Sequence, residues 1–398
     1  MNTKYELVET DTVTLPNGKL GYRIRAIKSF GNVACNDLGG YIESELNLSQ
    51  IGNCWVYGNA KVSGNAKVSG NAKVYDSAEV SGNAIIYCSA IIYDSAKVSG
   101  NAKVYDYAKV SGSAEVSGNA KVYDNAIVYD SALVYDNAIV SGNAEVYDNA
   151  IVYDNAIIYC SAKVYDYAEV SGNAEVYGDA KVYDYAKVSG SAEVSGNAKV
   201  SGSAEVSGNA EVYGDAKVYD YAKVYDYAKV SGNAEVYVDA KVYDYAKVSG
   251  SAEVSGSAEV SGNAKVYDYA KVSGSAEVSG SAEVYGSAEV YGSARVYGSA
   301  RVYSSARVYG SAEVSGNAKV YGNAVVSYSA VVSDNTINIV GLMYNVTITD
   351  RHLRAGCRQY TFNEWRNFTE SQIHNMDGAK ATDFYPTLIG ILDLLKLT

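Results

Sequence analysis

The chain holds 2 prolines, 2 histidines, 2 tryptophans and 4 phenylalanines in 398 residues. It has no CxxC pair. Its five cysteines, Cys35, Cys54, Cys88, Cys160 and Cys357, are odd in number and scattered, which argues for reduced thiols and against a disulfide framework. No window approaches the roughly 18 apolar residues that a membrane span needs. The start, MNTKYELVETDTV, has no basic region followed by an apolar run. These absences lead to the expectation of a soluble, cytoplasmic chain. Basic residues are outnumbered, 33 against 45 acidic ones for a net charge of -12, which disfavours a generic attraction to nucleic acid or an anionic membrane. A basic protein partner stays open.

What the chain has in excess is tyrosine (40) and glycine (37), and it has them periodically. From Val56 to Ile337 the sequence divides without insertion into 47 hexapeptides: VYGNAK, VSGNAK, VSGNAK, VYDSAE and onward. The first position is Val or Ile, the fifth is Ala (Thr336 in the last unit), and the sixth is variable. Ala, variable, Val is strand-like alternation. The third and fourth positions, mostly Gly or Asp and then Asn, Ser, Asp or Tyr, carry turn chemistry and tolerate positive φ. Corners this frequent cannot form hairpins. Three hexapeptides instead close a triangular coil of about 18 residues, and the coils stack as parallel strands about 4.8 Å apart. The expected fold is an all-β solenoid, a left-handed triangular parallel β-helix of about 15 to 16 coils and roughly 75 Å.

Hexapeptides with an aliphatic first and a small fifth residue resemble those of the left-handed β-helix in the trimeric LpxA-like superfamily. The segment LGGYIESELNLSQIGNCWVYGNA (Leu38 to Ala60) more narrowly resembles YdcK-type β-solenoid proteins of bacteria and their phages. The superfamily includes acyltransferases and carbonic anhydrases, and the resemblance would then imply histidines in the coils as catalytic base or zinc ligands. Both histidines here, His352 and His374, lie beyond the last coil. The resemblance therefore implies a fold and carries no site residues across. In the tail, Cys357 lies between the two histidines and near Glu364, but the spacings fit no ligand pattern. No catalytic residue, cofactor or metal site is expected.

An open solenoid end exposes unpaired backbone and apolar interior, so caps are expected at both ends. Residues 1–55 supply one, with TVTLPNGKLGYRIRAI reading as a hairpin about Pro16, Asn17 and Gly18, and Tyr22, Ile24 and Ala26 sharing a face. Residues 56–337 are the repeat. Residues 338–398 form a strand, NVTITD, and then a small helical domain, with capping-box spacings at Thr361 to Glu364 and Thr369 to Gln372. The last helix is expected from about Asp383, with Pro386 in its first turn. Phe384, Leu388, Ile391, Leu392 and Leu395 form a stripe that covers the final coil or faces a partner.

Across the 47 units the sixth position is Lys 19 times, Arg 3 times, Glu 15 times and Ile, Leu or Val 10 times, while Asp collects at the corners. Mixed Lys and Glu read as a solubilising surface with cross-coil pairs. One edge stacks Tyr129, Tyr147, Tyr165 and Tyr183, each followed by an aspartate: Asp130, Asp148, Asp166 and Asp184. Such a ladder either binds sugars or cations or, as the favoured reading has it, steadies neighbouring coils. Ile127, Leu133, Ile139, Ile151 and Ile157 cluster as an apolar patch suited to self-association. Cys88 and Cys160 occupy equivalent corners four coils apart, about 19 Å, outside disulfide reach.

These features favour a non-enzymatic structural or interaction protein of bacterial or phage type. Its contacts would lie in the C-terminal domain or the patch near 127–157, with a protein partner or with further copies of the chain in a dimer or trimer. The alternatives are a hexapeptide acyltransferase and an acidic mimic that occupies a basic site on another protein. For the patch, replacing both Leu133 and Ile151 by Lys is expected to lower the sedimentation mass; an unchanged mass would remove the case for self-association there.

Overall fold

A computed structural model describes residues 3–334 and 336–398. The chain divides into two compact units, Met1–Tyr221 and Ala222–Thr398. Together they contain about 16 turns of parallel β-solenoid, with an N-terminal strand region and a small C-terminal helical part.

In both units a hexapeptide folds alike. Its sixth residue and the next Val make a two-residue strand, as in Lys103–Val104 of the first unit and Lys241–Val242 of the second. That strand pairs in parallel with the one 18 residues on, Lys103 opposite Lys121 and Lys241 opposite Glu259. The first-position Val or Ile and the fifth-position Ala turn inward and are fully buried along the coils, from Val62 and Ala66 to Val326 and Ala330. Each such Val contributes about 1.5–3 kcal/mol of burial, and the narrow interior has no room for a longer side chain at every position. The backbone is satisfied one coil at a time. Asn101 donates its N–H to the Gly118 carbonyl (2.7 Å), Lys103 to Ala120 (2.9 Å) and Tyr105 to Val122 (3.0 Å), and the same three-bond set recurs along the stack.

The corners share one torsion. The third residue of every hexapeptide from Gly58 to Tyr328 has positive φ, whether Gly, Asp, Cys, Ser, Val or Tyr. Glycine meets a further demand at such positions: a Cβ on Gly112 would sit 2.7 Å from the Asp130 nitrogen and 2.8 Å from its Cα.

At the N-terminus, β1 (Tyr5–Thr14) and β2 (Leu20–Ala26) form the expected antiparallel hairpin, with an irregularity between Val8 and Thr12. Ile24 and Ala26 are buried and Tyr22 is half-buried. Strand β3 (Leu38–Ile42) pairs antiparallel with β2 and in parallel with Lys61–Val62, joining hairpin to coil. Gly39 permits this approach, since a Cβ there would lie 2.5 Å from both the Ile24 side chain and the Val56 carbonyl. Coil geometry thus starts before Val56: Ile42, the Leu48 bridge to Val68 and Val56 occupy three successive sides. The hexapeptide pattern does not reveal this turn because its buried residues, such as Trp55, pack against the hairpin's Tyr5 and against Phe30.

In the second unit the tail is richer than one strand. Ile337–Ile339, Val346–Ile348, His352–Ala355 and Arg358–Thr361 form a four-stranded antiparallel sheet, followed by α1 (Phe362–Asn367) and α2 (Glu370–Leu394). Both capping boxes form, at Thr361 with Glu364 and at Thr369 with Gln372. The last helix departs from expectation. It begins at Glu370, breaks at Asp377 and Gly378 (φ 61°, ψ -145°), and carries Pro386 well inside its second half. The sheet covers the last coils through polar contacts: Arg354 donates to the Ser327 hydroxyl (2.6 Å), Gln359 donates to the Ser327 carbonyl (2.8 Å), and Asp350 accepts from the Ser333 N–H (2.8 Å).

Val238, with φ 62°, is the corner residue least suited to its torsion, because a β-branched side chain there meets the backbone. Left-handed geometry costs an L-residue about 1–2 kcal/mol. Val238→Gly is therefore expected to raise the melting temperature, with a gain of about 1 kcal/mol once the added freedom of the unfolded glycine is subtracted. A lower melting temperature would show that the valine is held without strain.

Candidate functional site

The outer surface of the first unit is organised in columns, because equivalent residues recur every 18 positions. The predicted tyrosine ladder is present. Tyr129, Tyr147, Tyr165 and Tyr183 stack with ring centroids 4.8, 4.9 and 5.0 Å apart and planes within 10°. Each ring shields the next from water, and this burial, reinforced by the carboxylates nearby, pushes the phenols of Tyr129, Tyr147 and Tyr165 up to about 12.

The aspartates that follow them sit at the left-handed corners, where their carbonyls accept N–H groups from the preceding coil, such as Ser131 to Asp148 (2.8 Å). Asp184 also uses its carboxylate, which accepts the N–H of Gly202 at 3.1 Å. The same device recurs at Asp94 with Gly112, Asp124 with Gly142 and Asp154 with Gly172, at 3.0 to 3.1 Å. Corner acid thus has a structural use, satisfying a backbone donor of the next coil. It is not simply a solvated edge.

One column escaped the sequence reading. Asn65, Asn83, Asn101, Asn119, Asn137, Asn155 and Asn173 form an unbroken amide ladder, each Nδ2 donating to the next Oδ1 at 2.9 to 3.2 Å. An asparagine every 18 residues was its visible signal. Ion pairs also join coils, as at Lys97 with Glu115 (3.2 Å), and in the second unit Glu283 accepts from both Lys265 (3.1 Å) and Arg301 (3.3 Å). The basic partners are solvent-exposed, and such a pair is worth at most about 1 kcal/mol.

The proposed apolar patch is dispersed. Leu133 pairs with Ile151 on one face and Ile139 with Ile157 on the second, while Ile127 lies on the third between Lys109 and Glu145. All five are half-buried.

The C-terminal stripe faces inward. Phe384, Leu388 and Leu392 are buried in a core with Val346, Leu353 and Trp365, and Ile391 packs against that core. They are therefore unavailable to a partner, and they lie over the domain's own sheet, which the sequence pattern had not shown. Leu395 remains 36% exposed. His352 is half-buried with Nδ1 unpartnered, and burial lowers its pKa. Among the described residues no group of three or more His, Cys, Asp or Glu is placed to hold a metal ion, and no helix is long and apolar enough to cross a membrane.

A buried polar pair at the N-terminus also went unread. Lys4 is 1% exposed; its ammonium donates to the Cys54 carbonyl (3.0 Å) and lies 3.1 Å from the Cys54 sulfur, with burial lowering its pKa. Asn47, buried nearby, donates to the carbonyls of Gly64 (3.0 Å) and Ala66 (2.9 Å) and so satisfies the first coils.

Residues 120–136 match the family model of the YdcK β-solenoid repeat. The match spans about one coil and falls within the hexapeptides, away from the Leu38 to Ala60 segment. It shows this chain to be similar to YdcK-type repeats in its coil. Comparison with curated proteins finds no match.

The stacked phenols favour their neutral form, so their contribution to stability is complete below pH 10 and is lost as pH rises from 10 through about 12. Ultraviolet titration of the full chain is expected to show a tyrosine population that ionises near pH 12, with β-structure falling as that population ionises. One transition at 10 would mean that the rings are not stacked in solution.

Proposed function

We propose that this chain is a non-enzymatic structural or interaction protein, a scaffold of the hexapeptide, LpxA-like left-handed type, bacterial or phage-encoded and acting in the cytoplasm. The observation that carries the reading is how completely the coils use their own residues. Val and Ala fill the interior, and Tyr, Asn and corner Asp hold successive coils together. Hydrolases and transferases built on a solenoid need a group that can move protons or hold a metal beside a cleft, and the repeat residues here are committed to the stack.

Recognition is then assigned to the C-terminal domain, where the repeat ends and the sequence becomes individual. The stripe of α2 is internal, so contacts would be made by the outer surface of that domain. The acyltransferase alternative draws on fold resemblance alone, which does not license activity. Calorimetric titration of the full chain with acetyl-CoA is expected to give no saturable heat. Saturable binding would overturn the non-enzymatic reading.

A further inference from the structure

We infer that the C-terminal domain contains a small-molecule site for a compact aromatic carboxylate. A cavity of about 220 Å³ opens between the sheet and the two halves of α2. Ile373 and Met376 line it from the first half of the helix, and Ala381, Phe384 and Leu388 from the second. Gly378 makes the space: at φ 61° and ψ -145° it takes a conformation that only glycine adopts readily, and the break swings the two halves apart.

The wall is apolar because its polar atoms are already engaged. The Trp365 indole N–H donates to the Leu353 carbonyl at 2.6 Å, and the Tyr385 hydroxyl donates to the Trp365 carbonyl. At the rim, Tyr344 donates to the Asp377 carboxylate at 2.6 Å and packs edge-on against Phe384, with centroids 5.1 Å apart. That bond engages one oxygen of the Asp377 carboxylate. The Arg358 guanidinium, also on the lining, is exposed and makes no hydrogen bond or ion pair among the described residues.

Size and charge together select the ligand. Apolar cavities of about 150 Å³ take up benzene, so this one accommodates a ring with a short side arm, while drug-sized ligands need about 300 Å³ or more. One open guanidinium beside an apolar space selects a single carboxylate, held by paired N–H donors. The chain's charge of -12 opposes unspecific uptake of anions.

The test uses the full chain labelled with ¹⁵N at its two tryptophan indoles. Trp365 lines the cavity and Trp55, buried in the N-terminal unit, serves as control. Titration with 3-phenylpropionate is expected to move the Trp365 signal saturably, with a dissociation constant of about 1 mM or tighter, and to leave Trp55 in place. The neutral 3-phenylpropanol should bind about tenfold more weakly. Arg358→Gln should bring the acid down to the alcohol's affinity, and Ala381→Ile, which fills the cavity, should abolish both. If Ala381→Ile does not fold, the Arg358→Gln comparison still decides. No saturable shift, equal movement of both indoles, or equal affinity for acid and alcohol in the wild-type chain would each overturn the assignment.

Discussion

Everything in the solenoid depends on one torsion, the left-handed φ at the third residue of each hexapeptide. It turns the chain between two-residue strands, sets the three-sided coil, and directs the next N–H and carbonyl along the stacking direction. Two-residue strands cannot persist alone. They hold because each is bracketed by corners identical to those of the coils before and after it. The corner also explains the composition. Glycine accepts the torsion without a Cβ, and aspartate accepts it while its carboxylate serves the next coil's backbone, as Asp154 serves Gly172.

Stacking at a fixed spacing then converts sequence repetition into columns. A phenol placed every 18 residues becomes a ring stack, an amide becomes a hydrogen-bonded ladder, and a charge meets either its opposite or its like. Both outcomes of the last kind occur. Lys97 meets Glu115, whereas Lys163, Lys181 and Lys199 lie in register on one face of the first unit. Like charges directly opposite weaken pairing, so the columns were not all arranged for stability. The twenty-residue sentence KVYDYAKVSGSAEVSGNAKV, which starts at both Lys103 and Lys181, places its copies on different faces for the same reason: 78 residues is a whole number of hexapeptides but not of coils. Duplication preserved the unit of closure ahead of any surface design.

The C-terminal domain obeys other rules. Its core is a conventional one, aromatic rings and aliphatic side chains from a sheet and two helices, and its helix break at Gly378 opens a cavity with a mostly apolar wall. Individual side chains there, Arg358 and Tyr344 among them, have environments found nowhere in the repeat. If the protein discriminates among molecules, this is where the variety to do so resides.

The parallel solenoid, its repeat, the N-terminal hairpin and both capping boxes were legible in the residues, because each rests on local periodicity or on a spacing of three to six positions, and the tyrosine ladder was legible once three hexapeptides were taken as one coil of 18 residues. The asparagine ladder has the same signal, one amide every 18 residues. What only the tertiary structure decided lies where contacts are made between segments without a repeat. The turn ahead of Val56 is shaped by packing of Trp55 on the hairpin side. The stripe of α2 lies against a sheet whose other three strands carry no strong pattern. Lys4 is buried because Cys54 and Phe30 happen to close around it. Periodic sequence determines a fold through repetition of one local solution; an aperiodic end depends on which surfaces meet, and that is a property of the folded chain.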